Sequence, residues 1–124
     1  MSIRELAATI LAAVTDGGGI TINVNGDRPT NGFAVSVAAA GLVTGTVPTA
    51  GLVEEWIDSI GTMLCGDDMY LGAWLDTETG KVHLDVTQVL DTEDQAHRQA
   101  VLDRQLAYFD LKKGREVRLE VSGA

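Results

Sequence analysis

Apolar residues recur along this chain with two different periods, and each change of period marks a change of element. Ile3, Leu6, Ile10, Leu11 and Val14 follow one another at helical spacing, and Ser2 with Glu5 three residues later forms a capping box ahead of them. Gly17, Gly18 and Gly19 close that helix, since glycine takes the left-handed C-terminal conformation without penalty. Residues 20–24 then read as a short strand and Asn25-Gly26-Asp27 as a turn. A loop through Arg28, Pro29 and Gly32 leads into Phe33 to Val37, which alternate as a second strand, and residues 41–48 read as a further extended piece. Thr49 is placed to cap a second helix with Leu52, Val53, Trp56, Ile57, Ile60, Met63 and Leu64 on one broad face. Glu54, Glu55 and Asp58 fall on its wet side.

The clearest pattern follows. Leu71, Ala73 and Leu75 alternate with Tyr70, Gly72 and Trp74, and Val82, Leu84 and Val86 alternate with His83, Asp85 and Thr87. With Thr77-Glu78-Thr79-Gly80 between them, these segments predict a β-hairpin. Thr92 and Gln95 form a second capping-box pattern, opening a helix through about Gln105. Its apolar face, Ala96, Ala100, Val101 and Leu106, is small, so the helix should lie close against a sheet. Residues 107–111 and 116–121 predict a last pair of strands around Lys112-Lys113-Gly114. The order αββαββαββ specifies an α+β fold: a single domain with three helices on one side of an antiparallel sheet of about five to six strands.

Charge sharpens the picture. The chain has 124 residues and a net charge of -9, and residues 54–94 hold eleven carboxylates against Lys81 alone, a sum of -10. Residues 1–53 sum to -1 and residues 95–124 to +2. Such a field repels nucleic acid and attracts basic protein surfaces, so direct nucleic-acid binding is not expected. The basic groups Arg98, Arg104, Lys112, Lys113, Arg115 and Arg118 share their segment with four carboxylates and read as a solubilising edge. A single cysteine, Cys65, excludes an intramolecular disulfide and a multi-cysteine zinc site. Neither a secretion leader nor the roughly 20 apolar residues of a membrane span is evident. The expected setting is therefore cytoplasmic, in the host cell if the protein is phage-encoded, with no membrane partner.

No motif specifies a reaction. Gly66-Asp67-Asp68 superficially matches a polymerase metal motif, in a chain too short to house that enzyme. Counting from Asp76, glycine stands fifth and threonine twelfth, where a calcium loop needs glycine sixth and glutamate twelfth. Thr79-Gly80-Lys81-Val82 lacks the upstream glycine and the hydroxyl residue of a phosphate loop. Acidic neighbours disfavour a reactive Cys65 thiolate, and the serines sit in no nucleophile motif. No catalytic set, cofactor site or metal site is assigned.

The segment Tyr70-Leu71-Gly72-Ala73-Trp74-Leu75-Asp76, then Gly80-Lys81-Val82-His83-Leu84-Asp85-Val86, then Ala107-Tyr108-Phe109-Asp110-Leu111 with Gly114, resembles small proteins encoded by actinobacterial phages and mobile elements. They carry a Gly-x-Trp strand, a Gly-Lys turn, a Leu-Asp-Val strand, a helix and an apolar strand ending in Asp-Leu. The resemblance covers about residues 69–116 and implies a phage or mobile-element origin. Gly72, Trp74, Asp76 and Asp110 also resemble the pattern of acidic antirestriction proteins that mimic DNA, from which the Gly-rich first half and the milder charge depart.

These readings lead to a non-catalytic accessory protein that binds a host or phage protein through an acidic face. Glu54, Glu55, Asp58, Asp67, Asp68, Asp76 and Glu78 are the candidate binding residues, and the expected partner is a basic protein surface, such as that of a nucleic-acid-processing protein. DNA mimicry is one alternative. A small enzyme or ligand-binding domain, with its pocket between helix and sheet, is another. A concave pocket gathering His83 with Asp85, or Trp74 with Tyr70, is its signature. The hairpin edges are compatible with a homodimer.

Overall fold

A computed structural model describes residues 1–16, 18–64, 68–105 and 107–119. The expectations placed on Gly17, Cys65, Gly66, Asp67, Leu106 and Val121 lie outside these residues, as does the side chain of Met63. Helix α1, Ile3–Thr15, begins where expected: the Ser2 hydroxyl accepts from the Glu5 amide and the Glu5 carboxylate accepts from the Ser2 amide, both at 3.1 Å. It buries Leu6, Ala7, Ile10 and Val14, while Ile3, expected on that face, is exposed. Strand β1 is Gly19–Ile22. It stops before Val24 because Asn23 closes a tight loop, its side-chain oxygen accepting from the Asn25 and Asp27 amides at 3.0 and 2.8 Å.

The next strand corrects the sequence reading. Phe33–Thr44 is one strand, β2, that absorbs the first half of the separate extended piece expected at 41–48. Its register with β4 jumps from Val37 opposite Val86 to Leu42 opposite Leu84, so four residues, 38–41, bulge opposite the single residue Asp85. A bulge releases the alternation that marks a strand in sequence. Thr49 caps helix α2, Ala50–Ser59, which continues into a 3-10 turn at Gly61–Leu64. The central hairpin follows as β3, Met69–Leu75, and β4, Val82–Leu90. Helix α3, Glu93–Leu102, keeps both halves of its Thr92/Gln95 capping box. It ends three residues earlier than expected, because Arg104 turns left-handed, with φ of 56°, and the Gln105 amide donates back to the Ala100 carbonyl at 2.8 Å. The chain closes with β5, Ala107–Asp110, and β6, Arg115–Arg118.

The six strands form one antiparallel sheet in the order β1-β3-β4-β2-β5-β6. The α+β architecture expected from sequence is the observed one, and β1 and β6 are its edges. The register aligns Ile22, Leu71, Val86 and Val37 across one face, together with Ile20, Ala73 and Leu84. Against this face α1 and α2 seal a core with Val53, Trp56, Ile57 and Ile60. Over the β2–β5 end α3 applies Ala96 and Ala100 to Val35 and Tyr108. Small residues let α3 approach closely, as expected; Val101, counted on the same face, instead stands 57% exposed.

Tyr108 ties α3 to β5 by donating its hydroxyl to Glu93 at 2.9 Å. Burial, then the Glu93 hydrogen bond and nearby carboxylates, push its phenol pKa up to about 12. A folded-state pKa above the unfolded one means stability that is complete below the unfolded value of 10 and lost as pH rises through 12. Chemical denaturation should therefore show stability falling between those limits. Tyr108→Phe should lower stability at pH 7 by about 1 kcal/mol, a typical net hydrogen-bond contribution, and flatten that alkaline fall.

Candidate functional site

All three helices pack on one face of the sheet, so the side chains of the opposite face meet no helix. Antiparallel register places Trp74 beside His83, Gly72 beside Asp85, and Ser36 beside Thr87 on that open face. The sheet curls, and the concave side holds a trough of about 840 Å³. That volume is within the usual range for small-ligand sites, roughly 300–1,000 Å³.

Absent side chains shape the floor. A Cβ on Gly72 would lie 2.5 Å from the Thr87 hydroxyl oxygen, and one on Gly19 would lie 2.7 Å from the Ala73 carbonyl and 3.0 Å from the Trp74 Cβ. Both positions therefore keep the sheet surface free of side chains beside Trp74 and Thr87. At one end Trp74 and His83 stack with centroids 4.3 Å apart and planes 7° from parallel, and Trp74 remains 45% exposed. Further along, Asp85, Thr87 and Ser36 line the middle. The β5–β6 end carries Phe109, Glu116 and Arg118, with Arg104 just before β5, and Arg28 and Pro29 of the β1–β2 loop also line the trough. Among the described residues the one ion pair is Arg118 with Glu116, at 3.0 Å; Arg28 and Arg104 have no carboxylate partner there.

Asp85 is the site's perturbed acid. Burial raises its carboxyl pKa above the ordinary 3.8, against smaller opposing effects of His83 and a Ser36 hydrogen bond. A raised folded-state pKa means that Asp85 favours the fold most when protonated and that this contribution declines as pH rises through the folded pKa. An ionised Asp85 is therefore a small burden at neutral pH. Asp85→Asn should unfold a few degrees higher than the parent protein at pH 7, with the gain disappearing toward pH 4, as followed by calorimetry. Perturbed groups of this kind gather at functional sites, where stability is exchanged for chemistry.

The acidic candidates fall into separate places. Glu54, Glu55 and Asp58 stand together on α2, away from its buried Val53, Trp56 and Ile57. Asp76 and Glu78 share the β3–β4 turn, where Asp76 accepts from the Glu78 amide at 3.0 Å; this hydrogen bond and one from Thr79 hold its pKa below the ordinary value. Asp68 lies at the opposite end of β3, accepting from Gln88 at 2.8 Å. Eight residues of extended chain put Asp68 about 26 Å from Asp76. Asp67 is outside the described residues. The six described carboxylates thus form three groups, two of them engaged in shaping turns and strand ends, and not one stripe of the kind that the charge density of duplex DNA demands.

Of the pairs named from sequence, His83, Asp85 and Trp74 do line one concavity, and Tyr70 does not. The hollow is on the helix-free face, not between helix and sheet as expected, because Ala96, Ala100 and the aliphatic core fill that interface. Arg28, Arg104 and Arg118 were missed as site residues; their convergence depends on strand order, which no local pattern encodes. Among the described residues no group of three or more His, Cys, Asp or Glu is placed to hold a metal ion, and no helix is long and apolar enough to cross a membrane. Comparison with protein-family models, characterised proteins and solved structures finds no match for the chain.

Proposed function

We propose that this protein is a small-ligand-binding domain whose ligand lies in the trough on the open face of the sheet. The observation that supports this reading is the concavity itself, lined by an aromatic pair, a buried-leaning carboxyl and three arginines drawn from three separate strands and two loops. Apolar walls with a few convergent polar groups are the usual make-up of ligand sites. A trough on rigid strands also needs no large rearrangement to bind. Ser36 and Asp85 lack the imidazole between them that would activate a serine, so binding, not nucleophilic catalysis, is the activity proposed.

A second reading keeps the accessory-protein role, with a basic protein surface as partner for Glu54, Glu55 and Asp58. Its support is that these three carboxylates share one helix and have no ion-pair partner among the described residues. The phage-like resemblance of residues 69–116 is compatible with either role. A thermal-shift screen of small metabolites separates them, since a ligand that binds only the folded state raises the unfolding midpoint. The ligand reading predicts compounds that stabilise the parent protein and not Trp74→Ala. If no compound does so, while a lysine-rich peptide binds in a salt-sensitive way that Glu54→Lys, Glu55→Lys and Asp58→Lys abolish, the second reading replaces the first.

A further inference from the structure

We infer that the ligand is a nucleoside phosphate, lying across the strands with its base at the Trp74–His83 end and its phosphate at the arginine end. The inference rests on the trough being the binding site and assigns the chemistry of its occupant. Three observations, in their order across the sheet, lead to it.

At the β3–β4 end, the stacked Trp74–His83 pair presents an exposed indole, and Gly19 on the neighbouring strand places no side chain beside it. Flat rings bind such platforms by stacking, with little dependence on the identity of the base. In the middle stand Asp85, Thr87 and Ser36, a carboxyl and two hydroxyls suited to the hydroxyl groups of a sugar. At the β5–β6 end are Arg104 and Arg118, and Arg28 of the β1–β2 loop also lines the trough. Guanidinium groups pair with phosphate through parallel N–H donors, and two of these three have no carboxylate partner among the described residues.

Charge makes the arginine cluster more pointed. The chain carries eighteen carboxylates against nine lysines and arginines, yet three of those nine line this one trough. The carboxylates there are Asp85, whose ionised form burial disfavours, and Glu116, which is occupied by Arg118. In a protein that repels anions overall, the trough is the place arranged to receive one. Length also fits. Arg118 lies four strand spacings across from Trp74 and four residues along, in the Thr87 row, about 23 Å away on a flat sheet, and side chains reaching inward from both ends leave roughly 10–14 Å, the span from a base to the terminal phosphate of a diphosphate. A free aromatic ring or inorganic phosphate would use one end only.

Calorimetric titration of the full chain with adenosine diphosphate, adenosine and inorganic phosphate tests the assignment. The diphosphate should bind at least tenfold more tightly than either fragment. Arg104→Gln should weaken the diphosphate about tenfold while leaving adenosine unchanged, because it removes one charge-assisted contact to the phosphate. Trp74→Leu should weaken the diphosphate and adenosine alike by about tenfold, the usual scale for loss of a stacking partner. Arg118→Gln, at the same end on β6, provides a second phosphate-end variant should Arg104→Gln perturb the helix end. Adenosine binding as tightly as the diphosphate would overturn the phosphate assignment and leave the trough as the binding site. Diphosphate binding that is absent, or unaffected by both Arg104→Gln and Trp74→Leu, would overturn it outright.

Discussion

Leu84→Ala should destabilise the protein by about 3–4 kcal/mol and lower its unfolding midpoint by about 15 °C. Leu84 is fully buried at the centre of β4, flanked by Ala73 on β3 and Leu42 on β2, and it packs within the cluster that joins the sheet to α1 and α2. Truncation removes three carbons from an interior with no neighbour free to collapse: the adjoining Ala73 is small, and Val82 and Val86 are stiff at χ1. That loss is a large fraction of the roughly 5–15 kcal/mol by which domains of this size are stable. Urea denaturation measures it. The next residue along the same strand, Asp85, faces the opposite side, and its substitution by asparagine should stabilise. Adjacent positions on one strand thus give effects of opposite sign, because one face of the sheet holds the fold together and the other is kept open.

Gly72→Val should abolish ligand binding and destabilise the protein by about 1–2 kcal/mol. The new Cβ would come within 2.5 Å of the Thr87 hydroxyl oxygen, and Thr87 is itself buried, so one of the two side chains must be displaced. Overpacking of this kind typically costs 1–3 kcal/mol, and the better strand propensity of valine, at most about 1 kcal/mol, offsets part of it. The branched side chain would also stand in the floor of the trough between Trp74 and Asp85. Gly72→Ala should show the same clash in milder form. Denaturant midpoints and ligand titrations on the two variants check the expected ranking, with valine the worse in both measurements. A glycine retained only for backbone reasons would show the stability loss without a binding defect.

Much of the fold was legible because its signals are local. Capping boxes at Ser2 and Thr92, the Thr49 cap and the strict alternation from Tyr70 to Val86 are each read within a few residues, and each is observed. The breaks in prediction have two causes. β2 looked like two pieces because the bulge at 38–41 interrupts its alternation, and α3 looked longer because the left-handed turn at Arg104 carries no glycine to announce it. The candidate site was only half legible. His83, Asp85 and Trp74 could be placed on one strand face from alternation alone. Whether that face was covered depended on where the helices packed, and Arg104 and Arg118 join it only through the order β4-β2-β5-β6. Acidic runs were the loudest signal in the sequence, yet extended geometry spreads them to opposite ends of β3, and several serve turns.

The trough as binding site is tested most directly by mapping amide and indole shifts of the labelled protein during titration with adenosine diphosphate. The predicted result is a period-two pattern on β3 and β4: Gly72, Trp74, His83, Asp85 and Thr87 shift, while Leu71, Leu84 and Val86 between them move little. Shifts at the arginine end, including Arg104, should accompany them. Shifts confined to α2 around Glu54, Glu55 and Asp58, or spread evenly over both faces of the sheet, would contradict the account.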